Sequence, residues 1–193
     1  MRKYSRRILL YFLFIAIPGT FLIFPSFSDT DTRYRSAVTL LADEDYYPAL
    51  LRKIRSADRS IYIIAYLADF DPSYANGPVA SILQAISNAH NRGIETIVVF
   101  DHNVQFWKKG PDRDKCVIKS SAAYEWLKKR KVPVFLDNRN RTTHSKLCII
   151  DGQTVFIGSH NLSYAALKKN HEVSVMIRSE KFASHTFQKL RKK

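Results

Sequence analysis

Cysteine is scarce in this chain, with only Cys116 and Cys148 among 193 residues. The two lie far apart and form no C-x-x-C pair, which argues against a structural zinc site and against a small secreted scaffold held by disulfides. A single bridge between them stays possible if the domain is exported. Cys148 lies in an apolar run, however, where a buried free thiol is the more common outcome.

Acidic residues are also few, with 17 Asp and Glu against 31 Lys and Arg, which gives a formal net charge of +14. A domain this basic usually meets an anionic partner, either nucleic acid or the surface of an acidic membrane. Solubility alone is the simpler explanation, and charge does not choose between the two partners. The length and the 46% of hydrophobic residues suit one domain with a substantial core.

Charge is absent altogether from Ile8 to Ser28, and the residues before this segment carry four positive charges. A basic flank followed by an apolar segment is typical of a signal peptide or a signal anchor. The run from Ile8 to Phe24 has 17 residues, the short limit for crossing a bilayer. Small residues at Ser26 and Ser28 suit a signal peptidase cutting before Asp29. Both an uncleaved anchor, which we favour, and a cleaved signal remain open.

Either form of the leader predicts the same location for the rest of the chain. The basic flank stays in the cytoplasm, so residues 29–193 are expected outside it, anchored to the membrane through residues 8–28 or released to the periplasm or medium. Residues 1–28 hold four positive and no negative charges, so the domain of residues 29–193 keeps a net charge of +10 (14 minus 4).

The domain alternates helix-like and strand-like segments, and no segment repeats. This alternation predicts an α/β fold with a mixed central β-sheet flanked by helices. The predicted helices are Tyr46–Ala57, Val79–Arg92, Ala122–Lys131 and Ser163–Lys169. The predicted strands are Ser60–Phe70, Ile94–Asp101, Val132–Leu136, Lys146–Ile150, Val155–Gly158 and Glu172–Ile177, with the last completing the fold and a frayed basic tail at Lys189–Lys193.

Polar residues with a spacing of two flank the predicted strands near the end of the chain. His144 and Lys146 start one strand, Ser159 and Asn161 follow the next, and Glu172 opens a third. Side chains two apart on a strand point to the same face. If these strands are neighbours, the five groups converge at one edge of the sheet.

Each of these groups has a use in phosphoryl chemistry. An imidazole such as His144 can attack phosphorus to form a phosphohistidine, or protonate a leaving oxygen. Lys146 and Asn161 can hold phosphate oxygens as charge shifts in the transition state. Glu172 can fix the tautomer of a histidine, and Ser159 can donate to phosphate or position its neighbours. The set requires neither a metal nor a cofactor, because lysine supplies the positive charge.

The same residues resemble the signature of the phospholipase D superfamily, H-x-K-x-x-x-x-D followed by G-S-x-N and N-x-E. The matching residues are His144, Lys146, Asp151, Gly158, Ser159, Asn161, Asn170 and Glu172. The resemblance is closest to small single-motif members, the Nuc-type bacterial endonucleases and the mitochondrial cardiolipin hydrolase or nuclease, and it covers most of the chain after the leader.

This resemblance implies a phospholipase D-like fold and an active site that needs two such motifs. Single-motif members supply the second by forming a homodimer about a two-fold axis, with one histidine as nucleophile and the other as acid and base. Asp151 enters the predicted site as part of the signature, although its Asp-Gly turn also suits a structural role.

Other polar residues are weaker candidates for the site. His160 should point away from it by strand alternation, and His171 is also expected to be non-catalytic. His90, His102 and His185 have no partner that the sequence identifies. The cluster of Trp107, Lys108, Lys109, Arg113 and Lys115 fits either a nucleic-acid contact or a solvated loop.

These observations leave three functional hypotheses. The favoured one is a metal-independent nuclease acting on DNA or RNA, and the alternative is a phospholipase D or cardiolipin hydrolase acting on anionic membrane phospholipid. A nucleic-acid-binding protein with a vestigial site is the third. The intact His144, Lys146, Asn161 and Glu172 argue against the third.

Overall fold

The structure, a computed structural model, describes residues 34, 36–102 and 120–191. The chain divides into two units, Met1–Arg33 and Tyr34–Lys193, and every element below belongs to the second. The predicted leader, Cys116 and the cluster around Trp107 lie outside the described residues. Within the ranges that are described, no helix is long and apolar enough to cross a membrane.

Seven strands and five α-helices make up the described domain. In chain order they are β1 (Ala37–Ala42), a short 3-10 helix (Asp43–Asp45), α1 (Tyr46–Arg55), β2 (Ser60–Ala65), α2 (Pro78–Asn91), β3 (Glu95–Phe100), α3 (Ser121–Lys129), β4 (Val134–Leu136), β5 (Lys146–Ile150), β6 (Thr154–Gly158), α4 (Tyr164–Lys168), β7 (Val173–Arg178) and α5 (Glu180–Arg191).

The strands form one mixed sheet in the order β1-β7-β6-β5-β2-β3-β4, which confirms the predicted fold class. β2, β3 and β4 are parallel and are connected through helices, as parallel neighbours require. The remaining neighbours are antiparallel. Because β5 and β6 form a hairpin with Leu147 opposite Ile157, the start of β5 and the end of β6 meet at the same edge.

Strand alternation divides the apolar side chains between two faces of the sheet. Cys148 and Ile150 of β5 belong to the large core beneath α1 and α2, where Ile54, Ile82 and Phe156 are fully buried. Leu147 and Ile149 of β5 face α5 and belong to a smaller core. Its buried members are Leu147, Ile149, Val155 and Ala183. Among the described elements, α5 is the helix that packs in this second core, so much of that face stays open.

Two elements at the ends of the domain were not predicted. β7 is not the last element, because the helix α5 follows it and continues to Arg191 where a frayed tail was predicted. Its apolar side chains Phe182, Phe187 and Leu190 pack on the sheet, but they lie among basic residues that hide the pattern. β1 was missed because most of its side chains are exposed, and backbone pairing with β7 holds it in place.

The predicted strand Ser60–Phe70 is too long, and β2 ends at Ala65. Beyond that point Tyr66 N–H donates to Ser145 O at 2.8 Å, and Ala68 forms an isolated bridge with Leu162. The apolar run therefore continues as a segment that crosses the end of the sheet instead of extending the strand.

The turn after β5 is held by Asp151, whose backbone is left-handed with a φ of 56°. Its Oδ1 accepts hydrogen bonds from the backbone N–H groups of Asp58 at 3.1 Å, Arg59 at 2.8 Å and Ser60 at 3.1 Å. Since the carboxyl group is buried, these bonds satisfy three donors that would otherwise lose their partners. Asp151 thus ties the β5–β6 hairpin to the start of β2.

The change Asp151→Ala is expected to lower the free energy of unfolding by about 3 kcal/mol, because it leaves buried N–H groups without an acceptor. Urea unfolding followed by circular dichroism would measure the loss. Asp58→Ala is the matched control, since Asp58 lies in the α1–β2 connection that Asp151 holds and its side chain is exposed. Equal stabilities of the two variants would contradict the role given to Asp151.

Candidate active site

The edge of the sheet brings four of the predicted site residues into one cluster. His144 immediately precedes β5 and Lys146 begins it. Ser159 follows β6, and Glu172 precedes β7. Because β6 is antiparallel to both β5 and β7, the start of β5, the end of β6 and the start of β7 all lie at the same edge. The convergence predicted from strand periodicity is therefore present in the structure.

His144 and Lys146 are in direct contact. The Lys146 Nζ donates to the His144 carbonyl oxygen at 3.1 Å and lies 3.3 Å from His144 Nε2. An ammonium group donates and cannot accept, so a hydrogen bond between them requires a lone pair on Nε2. That lone pair is the one a histidine uses to attack an electrophile. The contact is therefore consistent with an unprotonated Nε2, whose lone pair becomes free to attack only when the ammonium group turns away from it.

Tyr66 is a member of the cluster that sequence reasoning missed. Its ring centroid lies 4.5 Å from that of His144 with the planes at 60°, and the Lys146 Nζ lies 4.9 Å from the Tyr66 centroid. An aromatic face at this distance stabilises an ammonium group. The available signal was positional: Tyr66 directly follows β2, whose last residue Ala65 pairs with Lys146.

Glu172 is held by neighbours from its own chain. The Ser159 hydroxyl donates to Glu172 Oε2, and Asn170 Nδ2 donates to Oε1 at 3.0 Å. Ser159 Oγ in turn accepts from the Val173 N–H at 3.0 Å. The carboxylate is thus bonded to Ser159 and Asn170 instead of to the ring of His144 in the same chain. Within this chain, therefore, Glu172 does not act as an orienting partner for His144.

Asn161 lies two residues beyond Ser159, on the segment that bridges to Ala68 through Leu162. Its Oδ1 is buried and has no hydrogen-bond partner in the part of the chain that the structure describes. A buried amide oxygen without a partner is unusual in a folded protein. The amide therefore keeps hydrogen-bonding capacity for water or a ligand.

Partial burial and the charge of Glu172 shift the pKa of Lys146 in opposite directions. Burial lowers the pKa of the Lys146 ammonium below its ordinary value, since it disfavours the charged form, and the negative charge of Glu172 raises it again. Lys146 is therefore easier to deprotonate than a free lysine, and Glu172 limits that effect. The two charges are close enough to act on each other.

The other candidates lie outside the cluster. His160 points away from it, as predicted, into the core beside Tyr46. His171 is exposed, with its Nδ1 3.3 Å from Asp43 Oδ2. His102, for which the sequence identified no partner, has its Nδ1 3.2 Å from Asp137 O. Cys148 is a buried free thiol, and burial raises its pKa.

The predicted place of Asp151 in the site is wrong. It follows the last residue of β5, five residues from Lys146, so the length of the strand separates it from the cluster by roughly 16 Å. Its carboxylate is occupied by the backbone amides of residues 58–60. The structural alternative that its Asp-Gly turn suggested is the one the structure shows.

No group of three or more His, Cys, Asp or Glu side chains among the described residues is arranged to hold a metal ion. The positive charge of the cluster comes from Lys146 itself.

The change Glu172→Gln is expected to lower the pKa of Lys146 further, because it removes the negative charge that favours the ammonium form. A side-chain NMR titration of the lysine would detect the shift. Glu44→Gln is the matched control: Glu44 pairs with Lys168 at 3.3 Å and should leave Lys146 unchanged. A Lys146 pKa that is identical in the two variants would contradict the coupling.

Known proteins with the same pattern are similar over most of the domain. A family model described as cardiolipin synthase, PLD-like domain, matches residues 50–193. Proteins named phospholipase D from Rickettsia prowazekii (strain Madrid E) and Rickettsia typhi (strain ATCC VR-144 / Wilmington) are each 29% identical over 140 residues, which is 72% of this chain and 58% of theirs. The chain thus spans little more than half the length of these curated relatives.

Solved structures give the same grouping. The phospholipase D family member Nuc from Salmonella typhimurium is 25% identical, with a TM-score of 0.62 over 82% of this chain and 93% of that one. NucT from Helicobacter pylori shares the fold at 20% identity, with a TM-score of 0.57 over 82% of this chain and 95% of that one. With the PLD-like family model covering residues 50–193, the chain belongs to the phospholipase D superfamily.

Proposed function

We propose that this protein is a phosphodiesterase that attacks phosphorus through His144, and that nucleic acid is its substrate. The observation that carries the proposal is the contact between the Lys146 ammonium and His144 Nε2, next to the pair formed by Ser159 and Glu172. A nucleophile, a cation and a carboxylate occupy one edge of the sheet. These are the groups that phosphoryl transfer without a metal requires.

The reaction follows from these positions in two steps. His144 Nε2 attacks phosphorus, a P–N bond forms, and the leaving oxygen departs with a proton supplied by an acid. Water then gives a proton to the same group, which now acts as a base, and attacks phosphorus. The P–N bond breaks and releases the phosphate product and the free imidazole of His144. Lys146 and the amide of Asn161 hold the non-bridging oxygens, whose negative charge increases in the transition state.

The acid in the first step is the reason for proposing a homodimer. One chain contributes one motif histidine, while the mechanism uses one imidazole as nucleophile and another as acid and base. His160 is buried with both ring nitrogens bonded, and His171 is exposed beside Asp43, so neither replaces it. A second copy related by two-fold symmetry would place its own His144 opposite the first.

The surface beside the cluster supports such an interface. Leu40 pairs with Val175, and Val175 pairs with Ile157, so these side chains share the face of the sheet that carries α5. Leu40 is 65% exposed and Val173, next to Glu172, is 60% exposed. Lys146 is on the opposite face, but Val173 lies at the same edge as the cluster. Exposed apolar side chains at and near this edge suit contact with a second copy of the chain.

The choice of nucleic acid as the substrate rests on the net charge of the domain and on how much of each known protein it matches. The domain keeps a net charge of +10 without the leader, which suits a polymer with a phosphate at every unit. The likeness to Nuc covers 93% of that chain, whereas only 58% of the length of the phospholipase D relatives is matched. Both observations favour DNA or RNA.

A phospholipid is the second candidate, and one structural observation favours it. A groove of about 320 Å³ contains His144 and Ser145 in its lining, and it shares Ile64, Val99 and Leu190 with an apolar cavity of about 550 Å³ between α5 and the sheet. An acyl chain could lie there with its phosphodiester near His144. The relatives named phospholipase D agree with this alternative.

The experiment that tests the proposal offers the protein labelled single-stranded DNA, duplex DNA, RNA and cardiolipin vesicles in the presence of EDTA. Nucleic acid is expected to be cut, and His144→Ala is expected to lower kcat by roughly a thousandfold or more. His171→Ala, which removes an exposed imidazole outside the cluster, is the control and should keep full activity.

Each other outcome has a definite meaning. Loss of cleavage in EDTA would contradict the metal-free mechanism, and turnover of cardiolipin alone would replace nucleic acid with lipid. A fully active His144→Ala protein would remove the nucleophile. Binding of nucleic acid without cleavage of any substrate would support the vestigial site.

The proposed homodimer predicts how wild-type and His144→Ala chains behave when they are mixed. Because each site needs a histidine from both chains, activity is expected to fall with the square of the wild-type fraction at constant total protein. Co-refolding the two chains at several ratios and measuring initial rates would test this. A linear decrease would show that one chain carries a complete site.

A further inference from the structure

Asp43 lies outside the motif, yet it holds the backbone of Glu172 on both sides. The ladder between β1 and β7 ends with Ala42 opposite Val173. One residue further, the Asp43 N–H donates to Glu172 O at 2.9 Å, and the Glu172 N–H donates to Asp43 Oδ1 at 2.8 Å. The Asp43 side chain thus takes the place of a backbone carbonyl in the ladder, and both peptide groups of Glu172 are bonded.

The backbone of Asp43 is in the left-handed region, with a φ of 49°. Residues other than glycine rarely adopt this conformation, although aspartate and asparagine tolerate it best. A sparsely populated conformation persists when surrounding contacts over-determine it, and such residues concentrate at functional sites. Here the turn directs the Asp43 carboxylate at the amide of Glu172, and its carbonyl oxygen at a third partner.

That third partner is His160, which lies between Ser159 and Asn161 in the sequence. Its Nε2 donates to Asp43 O at 2.9 Å, and its Nδ1 lies 2.7 Å from Ser174 Oγ. The buried ring stacks on Tyr46 with the centroids 4.2 Å apart. Because a carbonyl only accepts, Nε2 carries the proton. Asp43 therefore joins the segment that bears Ser159 to the segment that bears Glu172.

We propose that Asp43 is a positioning residue, which fixes the backbone at Glu172 and so sets the carboxylate against Ser159 and Lys146. This role rests on the proposed function, since it concerns the same site. Asp43 acts as a hydrogen-bond acceptor from a distance and contacts no substrate itself. The remaining oxygen, Oδ2, faces the exposed His171 at 3.3 Å and takes no part.

Electrostatics agrees with the geometry. The Glu172 N–H, followed by His171, holds the pKa of the Asp43 carboxyl below its usual value. The Asp43 carboxyl group is therefore ionised in the folded protein near neutral pH. The hydrogen bond to Glu172 needs only an oxygen in the same place, however, so asparagine should replace aspartate and alanine should not.

The test compares Asp43→Ala with Asp43→Asn in the full-length protein, assayed on whichever phosphodiester the wild type cleaves. Asp43→Ala is expected to lower kcat roughly 10- to 100-fold, because a small displacement of a catalytic group has effects of this size. Its KM should stay within about twofold of the wild type, since Asp43 touches no substrate. Asp43→Asn should restore most of kcat.

Hydrogen exchange at the Glu172 amide gives a readout that does not depend on activity. The amide should exchange faster in Asp43→Ala, where it has lost its acceptor, and at the wild-type rate in Asp43→Asn. Asp151→Ala is the matched control for a structural role. Asp151 is also a left-handed aspartate that accepts backbone N–H bonds, but at the opposite end of the sheet. The Asp151→Ala change should lower the stability of the protein and leave kcat and KM unchanged.

Three results would overturn the role of Asp43. An Asp43→Ala protein as active as the wild type would do so, as would equal losses of kcat in the alanine and asparagine variants. The third is an equal loss of kcat in Asp151→Ala, which would mean that any weakening of the fold slows the reaction. A wild-type protein inactive on every phosphodiester would overturn the proposed function together with this role. That result is distinct from an active wild type with an equally active Asp43→Ala variant.

Discussion

The antiparallel pairing of β6 with both β5 and β7 is the constraint on which the cluster depends. This pairing reverses the chain twice, so the start of β5, the end of β6 and the start of β7 meet at one edge. In parallel strands the same residues would be divided between opposite edges. The register also matters because a slip of one residue would turn Lys146 to the other face of the sheet. Backbone hydrogen bonds far from any substrate thus decide which side chains can act together.

At both ends of the β5–β6–β7 unit, an aspartate side chain accepts hydrogen bonds from the backbone of another segment. Asp43 and Asp151 are both left-handed, and each offers Oδ1 to backbone N–H groups of a distant segment. Asp151 ties the hairpin to the start of β2, whereas Asp43 ties β7 to the end of β1. Aspartate suits these positions because it tolerates the left-handed region and accepts without donating when ionised. A charge that looks catalytic in the sequence can therefore be structural.

Strand periodicity was sufficient to predict the cluster but not the residues that support it. A spacing of two identifies the shared face of His144 and Lys146 without knowledge of the fold. Asp43 is separated from Glu172 by 129 residues, and only the sheet order reveals that β1 lies beside β7. Tyr66 was hidden for a similar reason, since its place next to His144 depends on β2 pairing with β5. The helix α5 was not predicted because basic residues interrupt its apolar face. Long-range pairing, which local patterns do not encode, accounts for most of what was missed.

The electrostatics of the cluster also bear on the proposed homodimer. Glu172 is bonded to Ser159 and Asn170, and it raises the pKa of Lys146 against the effect of burial. Within this chain the carboxylate therefore interacts with its own strand end and with the lysine, and His144 contacts Lys146 and Tyr66. In the proposed homodimer, a second imidazole brought to this edge would meet a carboxylate that Ser159 and Asn170 already hold in place. In that homodimer, the side chains of one chain would form the place that the His144 of the second chain occupies.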